Sequence, residues 1–201
     1  SCEKIIKKEL NSYDLLPKNS KVVISVKNLG KFKNSIYNNG YLNSIVNSNL
    51  TIKNLVSQIS MINDNKEILI GLYEFEDILH YDIIGLEILN DSITDKKSSY
   101  EKIDIISSNN KHEPMINNNY FGGKFQKVNQ TNTNFSITLD SLYTDKLLNK
   151  LFDIESNDSK RNLILNIDAS SKLISVNGVV DDYSLDIQKN DEKLAIQEII
   201  S

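Results

Sequence analysis

The stretch Glu67-Ile68-Leu69-Ile70-Gly71-Leu72-Tyr73-Glu74-Phe75 runs through the polar pair Glu76-Asp77 into Ile78-Leu79-His80-Tyr81-Asp82-Ile83-Ile84-Gly85-Leu86-Glu87-Ile88-Leu89. Two runs rich in β-branched and aromatic residues flank a turn signal. The pattern predicts a hairpin, with strands over Glu67 to Phe75 and Leu79 to Leu89. Folding about position 78 sets Gly71 nearly opposite Gly85. Paired glycines leave a shallow spot on a sheet where another backbone can come close. A helix is the expected occupant, ahead of a ligand.

Working outward toward the N-terminus, the pattern changes period. Leu50 to Ile62 places Ile52, Leu55, Val56, Ile59 and Ile62 at helical spacing. Tyr41, Leu42, Ile45 and Val46 suggest a second helix, and Asn39-Gly40 breaks it from a third that Asn28 caps. Before them, Lys21 to Val26 reads as a strand. Residues 1–16 read as a tether with a possible short helical turn, ending at Pro17.

Toward the C-terminus, residues 90–99 read as a polar loop and Lys102 to Ser107 as a short strand with Ile103 and Ile105 on one face. Tyr120 to Phe125 reads as an edge strand containing Gly122-Gly123. Phe135 to Leu139 is a strand leading into a helix over residues 142–152. Leu163, Leu165 and Ile167 alternate as half-buried strands do. Leu173 to Val180 follows after a turn at Ala169 to Lys172, and Tyr183, Leu185 and Ile187 continue the alternation. Val22 to Tyr37 and Phe135 to Leu151 echo each other as strand, polar pair and amphipathic helix. The expected fold is a single α+β domain over residues 17–201. Its largely antiparallel sheet carries helices on one face, from residues 29–62 and 142–152.

Composition narrows the function classes. The chain has 201 residues and a net charge of −4, enough length to bury a core without disulfides. It holds 27 Asn, 28 Ile and 22 Lys against 2 Ala and 1 Arg, the signature of A/T-rich coding. The acidic balance argues against nucleic acid as a partner. One Cys and two His leave no Cys-based zinc set, and no metal or cofactor is expected.

The lone Cys2 follows the small residue Ser1. That pair suits the end of a bacterial lipoprotein signal, so Cys2 is the expected lipidation site, with a free N-terminal thiol as the competing reading. Each buried acyl CH₂ contributes about 0.8 kcal/mol to anchoring. Residues 1–35 hold 8 Lys and 3 acidic residues, which suits anionic head groups beside such an anchor.

Catalytic constellations are sparse. No nucleophile elbow, Walker loop or dinucleotide fingerprint occurs. His80 reads as a structural histidine in a strand, and His112-Glu113 lacks the second His of a zinc protease. Asp181-Asp182 with Asp186 reads as a solvated strand edge, not an EF-hand.

Leu15-Leu16-Pro17-Lys18-Asn19-Ser20 running into Val22 to Leu29 resembles the start of uncharacterised cell-envelope lipoproteins of Bacteroidota. Phe135 to Leu139 before a Leu-rich helix, and Val176-Asn177-Gly178-Val179 late in the chain, resemble the same family. The resemblance covers residues 15–47 and 135–180. It departs from the family in lacking a Gly-Trp before the late strand. It implies an outer-membrane lipoprotein but no activity. The mostly basic residues after Cys2 favour a periplasm-facing position over the cell surface. In that group O-glycans are attached at Asp-Ser/Thr before an apolar residue, which singles out Ser92. Asp140-Ser141-Leu142 also fits, but helix capping explains Ser141 better.

The leading functional expectation is a non-enzymatic envelope module, membrane-bound through its lipid, that binds another envelope protein or a glycan. Tyr120, Phe121 and Phe125 on the Gly-containing edge strand are the expected contact residues, where an extended partner segment could add on. The alternatives are an envelope hydrolase drawing on Asp82, Glu87, Asp181 or Asp182, and a carrier of apolar ligands beside Gly71 and Gly85.

Overall fold

A computed structural model describes residues 11–17, 19–89, 97–100, 102–109, 135–140, 144, 163–180 and 183–187. The fold is α+β. Strands β1 (Val22–Val26), β2 (Ile68–Phe75), β3 (Ile78–Leu86), β4 (Lys97–Tyr100), β5 (Ile103–Ser107), β6 (Phe135–Leu139), β7 (Leu163–Ala169), β8 (Ile174–Val180) and β9 (Tyr183–Ile187) form one sheet. Its order is β4-β5-β3-β2-β1-β6-β7-β8-β9, and every pair is antiparallel. Helices α1 (Leu29–Asn38), α2 (Gly40–Ser48) and α3 (Leu50–Ser60) connect β1 to β2.

Asparagine does the punctuating. Asn28, Asn39 and Asn49 each stand at an N-cap, with side-chain oxygens accepting from Lys31, from Tyr41 and Leu42, and from Ile52. The helices bury Leu29, Phe32, Ile36, Leu55, Val56 and Ile59 against Val26, Ile68, Ile70, Tyr81 and Ile83. Phe32 meets Phe135 edge-on at 4.9 Å, so α1 crosses from β1 onto β6. Lys33 ties α1 to the end of α3, donating to the carbonyl of Ile62 at 2.6 Å and pairing with Asp64 at 2.7 Å. A cation suits a helix C-terminus.

The reverse face of the sheet is also covered, over β1, β2, β3 and β5. A 3-10 turn over Ser12–Leu15 lays Leu15 and Leu16, 1% and 2% exposed, on Val23, Leu69, Ile84, Ile103 and Ile105. Asn11 and Asp14 close a reciprocal capping box that starts it. Residues 11–16 therefore belong to the packed domain and not to a tether. Two adjacent leucines escape a periodicity reading because one 3-10 turn offers no repeat to detect.

Residues 97–99 fall in the expected polar loop over 90–99, and with Tyr100 they form β4 instead. It pairs only with β5, where Ser99 donates to the buried Asp104 at 2.5 Å. Polar residues are ordinary on an edge strand. The helix expected over residues 142–152 lies outside the described residues except for Thr144. Its N–H bonds the Asp140 carbonyl at 2.9 Å and its hydroxyl accepts from Leu163 N–H.

The echo between Val22–Tyr37 and Phe135–Leu151 has a spatial counterpart. β1 and β6 are neighbours, and Ile24 faces Ile137 at the middle of their register. A two-fold axis normal to the sheet at that pair superposes the strand order and register of the two halves. β1, β2, β3 and β5 take the places of β6, β7, β8 and β9. Val22 faces Leu72 where Phe135 faces Ile167, and Ile68 faces Gly85 where Leu163 faces Val180. The offset is constant through both hairpins, since 163 − 68 and 180 − 85 both equal 95. Equivalent residues on the helix side are apolar in both halves: Ile70 and Leu165, Leu72 and Ile167, Leu79 and Ile174.

Candidate functional site

The β2–β3 register differs from the sequence expectation. Ile68 faces Gly85, Gly71 faces Asp82 and Phe75 faces Ile78. The turn is Glu76-Asp77 alone, with φ values of 52° and 60°. Two successive left-handed residues are the backbone of a two-residue type I′ hairpin. Gly71 and Gly85 therefore do not face each other. They lie on opposite faces of the sheet, because the register changed by an odd number of residues.

Neither glycine leaves space for a ligand. A Cβ on Gly71 would stand 2.9 Å from the Ser20 hydroxyl and 3.1 Å from both Leu16 and Pro17. The occupant is the segment entering β1, not a helix. A Cβ on Gly85 would stand 2.8 Å from the Glu67 carbonyl and 2.7 Å from Ile88.

What the hairpin does assemble is a column of side chains on the reverse face. Cross-strand pairs succeed one another along it: Gly71 with Asp82, Tyr73 with His80, Phe75 with Ile78. Asp82 is 0% exposed and Tyr73 is 1% exposed. Asp82 Oδ1 accepts from the Tyr73 hydroxyl at 3.2 Å and from the Ser107 hydroxyl at 2.6 Å. Ser107 also accepts from Asn109 N–H at 3.1 Å. His80 stacks on Tyr73 with ring centres 5.8 Å apart, and meets Phe75 edge-on at 6.3 Å. Its Nδ1 lies 3.4 Å from the Ser108 hydroxyl, which accepts from Tyr81 N–H at 2.8 Å. The column ends in solvent at Phe75 and Ile78, 38% and 57% exposed.

Electrostatics follows from burial. Removal from water pushes the Tyr73 phenol well above its ordinary value, and the negative charge of Asp82 adds to the rise. The hydrogen bonds from Ser107 and Asn109 oppose it. Burial alone raises Tyr81 and Tyr41.

The arrangement is ill-suited to two-carboxylate hydrolysis. Asp82 is sealed, and Glu87 lies five positions along the chain, beyond the end of β3 and at φ 48°. At about 3.3 Å per residue their separation is on the order of 15 Å, against the roughly 5–9.5 Å that glycosidase carboxylates use. Asp181 and Asp182 lie outside the described residues. No group of three or more His, Cys, Asp or Glu able to hold a metal occurs among the described residues. The Ser108–His80 contact is not a triad either, because Asp82 bonds Tyr73 and Ser107.

Cys2, Ser92, Tyr120, Phe121 and Phe125 lie outside the described residues, as do His112 and Ser141. The sequence marks His80 as a structural histidine and Asp82 as one candidate carboxylate among four. The alternation of Tyr73, Phe75, His80 and Asp82 was the available signal, once the two-residue turn sets them on one face. No described helix is long and apolar enough to cross a membrane. No family model, curated protein or solved structure matches the chain.

Proposed function

We propose that the chain is a non-enzymatic binding module of the cell envelope, held at the outer membrane through lipid on Cys2 and facing the periplasm. Its partner in this reading is another envelope protein or a glycan. The observation that carries the reading is the contrast within one column. Asp82, the carboxylate on which a hydrolase reading would draw, is sealed at 0% exposure and spent on bracing β2, β3 and β5. The residues that meet solvent are the apolar Phe75 and Ile78. This apolar pair at the solvent end of the column is the surface the reading assigns to a partner.

Two measurements test the proposal together. Intact mass spectrometry of protein extracted from native membranes is expected to show an acylated Cys2. Uniform chemical cross-linking in whole cells is expected to trap a saturable complex. Hydrolytic turnover that disappears in Asp82→Asn would instead establish an enzyme.

A further inference from the structure

The two halves of the sheet offer a comparison within one chain. Each half contains a hairpin with equivalent register and centre, and the two tips project from opposite ends of the sheet. The second tip is Ser170-Ser171-Lys172-Leu173. It is clasped by α1 and the cap that follows it: Ser35 donates to the Ala169 carbonyl at 2.8 Å, and Asn39 donates to the Ser170 carbonyl at 2.7 Å. The first tip, Phe75-Glu76-Asp77-Ile78, lies at the other end of the strands. Asn19 donates to the Glu74 carbonyl just below it, at 3.0 Å.

The second hairpin shares that register but turns through Ser171-Lys172 without left-handed φ values, and it sets Ser170 across from Leu173. Yet the first sets an aromatic and a branched aliphatic residue across from each other in solvent. Residues 68–85 carry Glu74, Glu76, Asp77 and Asp82 and no Lys or Arg. Glu74, Glu76 and Asp77 are all exposed. Behind Phe75 the rings of His80 and Tyr73 form a packed backing anchored on Asp82. Phe75 is therefore held in place before any partner arrives, which lowers the ordering cost of binding.

We propose that the Phe75–Ile78 tip docks a protein segment that presents an apolar side chain flanked by Lys or Arg. This rests on the binding-module reading and names its partner class. The apolar pair supplies the buried contact, and the acidic rim selects against acidic segments. Charge complementarity favours such a segment, since a cationic flank pairs by charge with the exposed Glu74 and Asp77 and a neutral sugar does not. The branched Ile78 beside Phe75 also interrupts the flat aromatic surface on which a sugar ring would stack.

The test places a photo-cross-linking amino acid at position 78 of the full chain in native cells, and in a second strain at position 173. Leu173 is the equivalent residue and is 61% exposed, so it controls for exposed apolar character. The expected result is one protein adduct from position 78 and none from 173, with adduct peptides that map to a Lys- or Arg-flanked apolar segment. Reversing the rim with Glu76→Lys and Asp77→Lys should cut the adduct at least tenfold, with an unchanged circular dichroism spectrum. Equal adducts from both positions, an adduct indifferent to charge reversal, a glycan adduct, or none would each overturn the proposal. If uniform cross-linking still traps a complex while position 78 gives nothing, the binding-module reading stands and this surface is wrong. If neither traps anything, both fall.

Discussion

The hydroxyl of Tyr73 on β2 donates to Oδ1 of Asp82 on β3 at 3.2 Å, and neither residue is more than 1% exposed. The two are diagonal neighbours on the reverse face, and Ser107 on β5 completes the contact from the far side. One carboxylate oxygen thus braces three adjacent strands. A polar group buried in this way stabilises only while its partners are present.

Asp82→Ala should therefore be among the most damaging single changes in the domain. It removes the acceptor that the Tyr73 and Ser107 hydroxyls share in a sealed site, at roughly 2–3 kcal/mol. Asp82→Asn retains an acceptor and should cost about 1 kcal/mol less. Asparagine already occupies the equivalent position in the second half, at Asn177. Urea unfolding of both variants measures the difference, and equal losses would contradict the bracing role.

Stability should fall in alkali. Folding raises the Tyr73 phenol above its model value of 10.0 through burial first and the Asp82 charge second. A group whose folded pKa is raised contributes in full below its unfolded pKa. That contribution is lost as pH climbs through the higher folded value. Tyr81 and Tyr41 are raised by burial and act with the same sign. Melting temperatures should thus decline above about pH 10. Tyr73→Phe should flatten the decline, although it is less stable at neutral pH. A variant with the parent's alkaline slope would show that Tyr73 is not the group responsible.

Leu15→Ala and Leu16→Ala should each cost about 2–5 kcal/mol, the range for deleting a fully buried leucine. A tether would tolerate both changes with almost no effect. Chemical denaturation of the two variants separates these outcomes. Leu16 should also be sensitive to Gly71→Ala, because its side chain would stand 3.1 Å from the new Cβ.

Replacing Glu76-Asp77 with Asn-Gly should stabilise the domain by about 1 kcal/mol, because both positions have left-handed φ values that Asn and Gly adopt more readily. The same change removes two charges from the tip. The proposed docking therefore predicts a more stable protein that captures its partner less well, a common trade between stability and function. Thermal melts combined with cross-linking from position 78 measure both effects in one variant.

Local chemistry was legible without coordinates. The alternation of Leu163, Leu165 and Ile167, the helical spacing from Leu55 to Ile62, the Asn cap at position 28 and the break at Asn39-Gly40 are decided by neighbours within a few residues, and the α+β fold follows from them. Three things needed the tertiary structure. The turn at Glu76-Asp77 has two residues, and this sets which side chains share a face; an odd shift in register exchanges the faces entirely. Leu15 and Leu16 are core because β1, β2, β3 and β5 come together beneath them, residues as distant in sequence as Val23 and Ile105. Asp82 became a buried brace because Tyr73 and Ser107 meet it from two different strands. Burial is a sum over long-range neighbours, and a local pattern in sequence cannot report which distant strands will be adjacent.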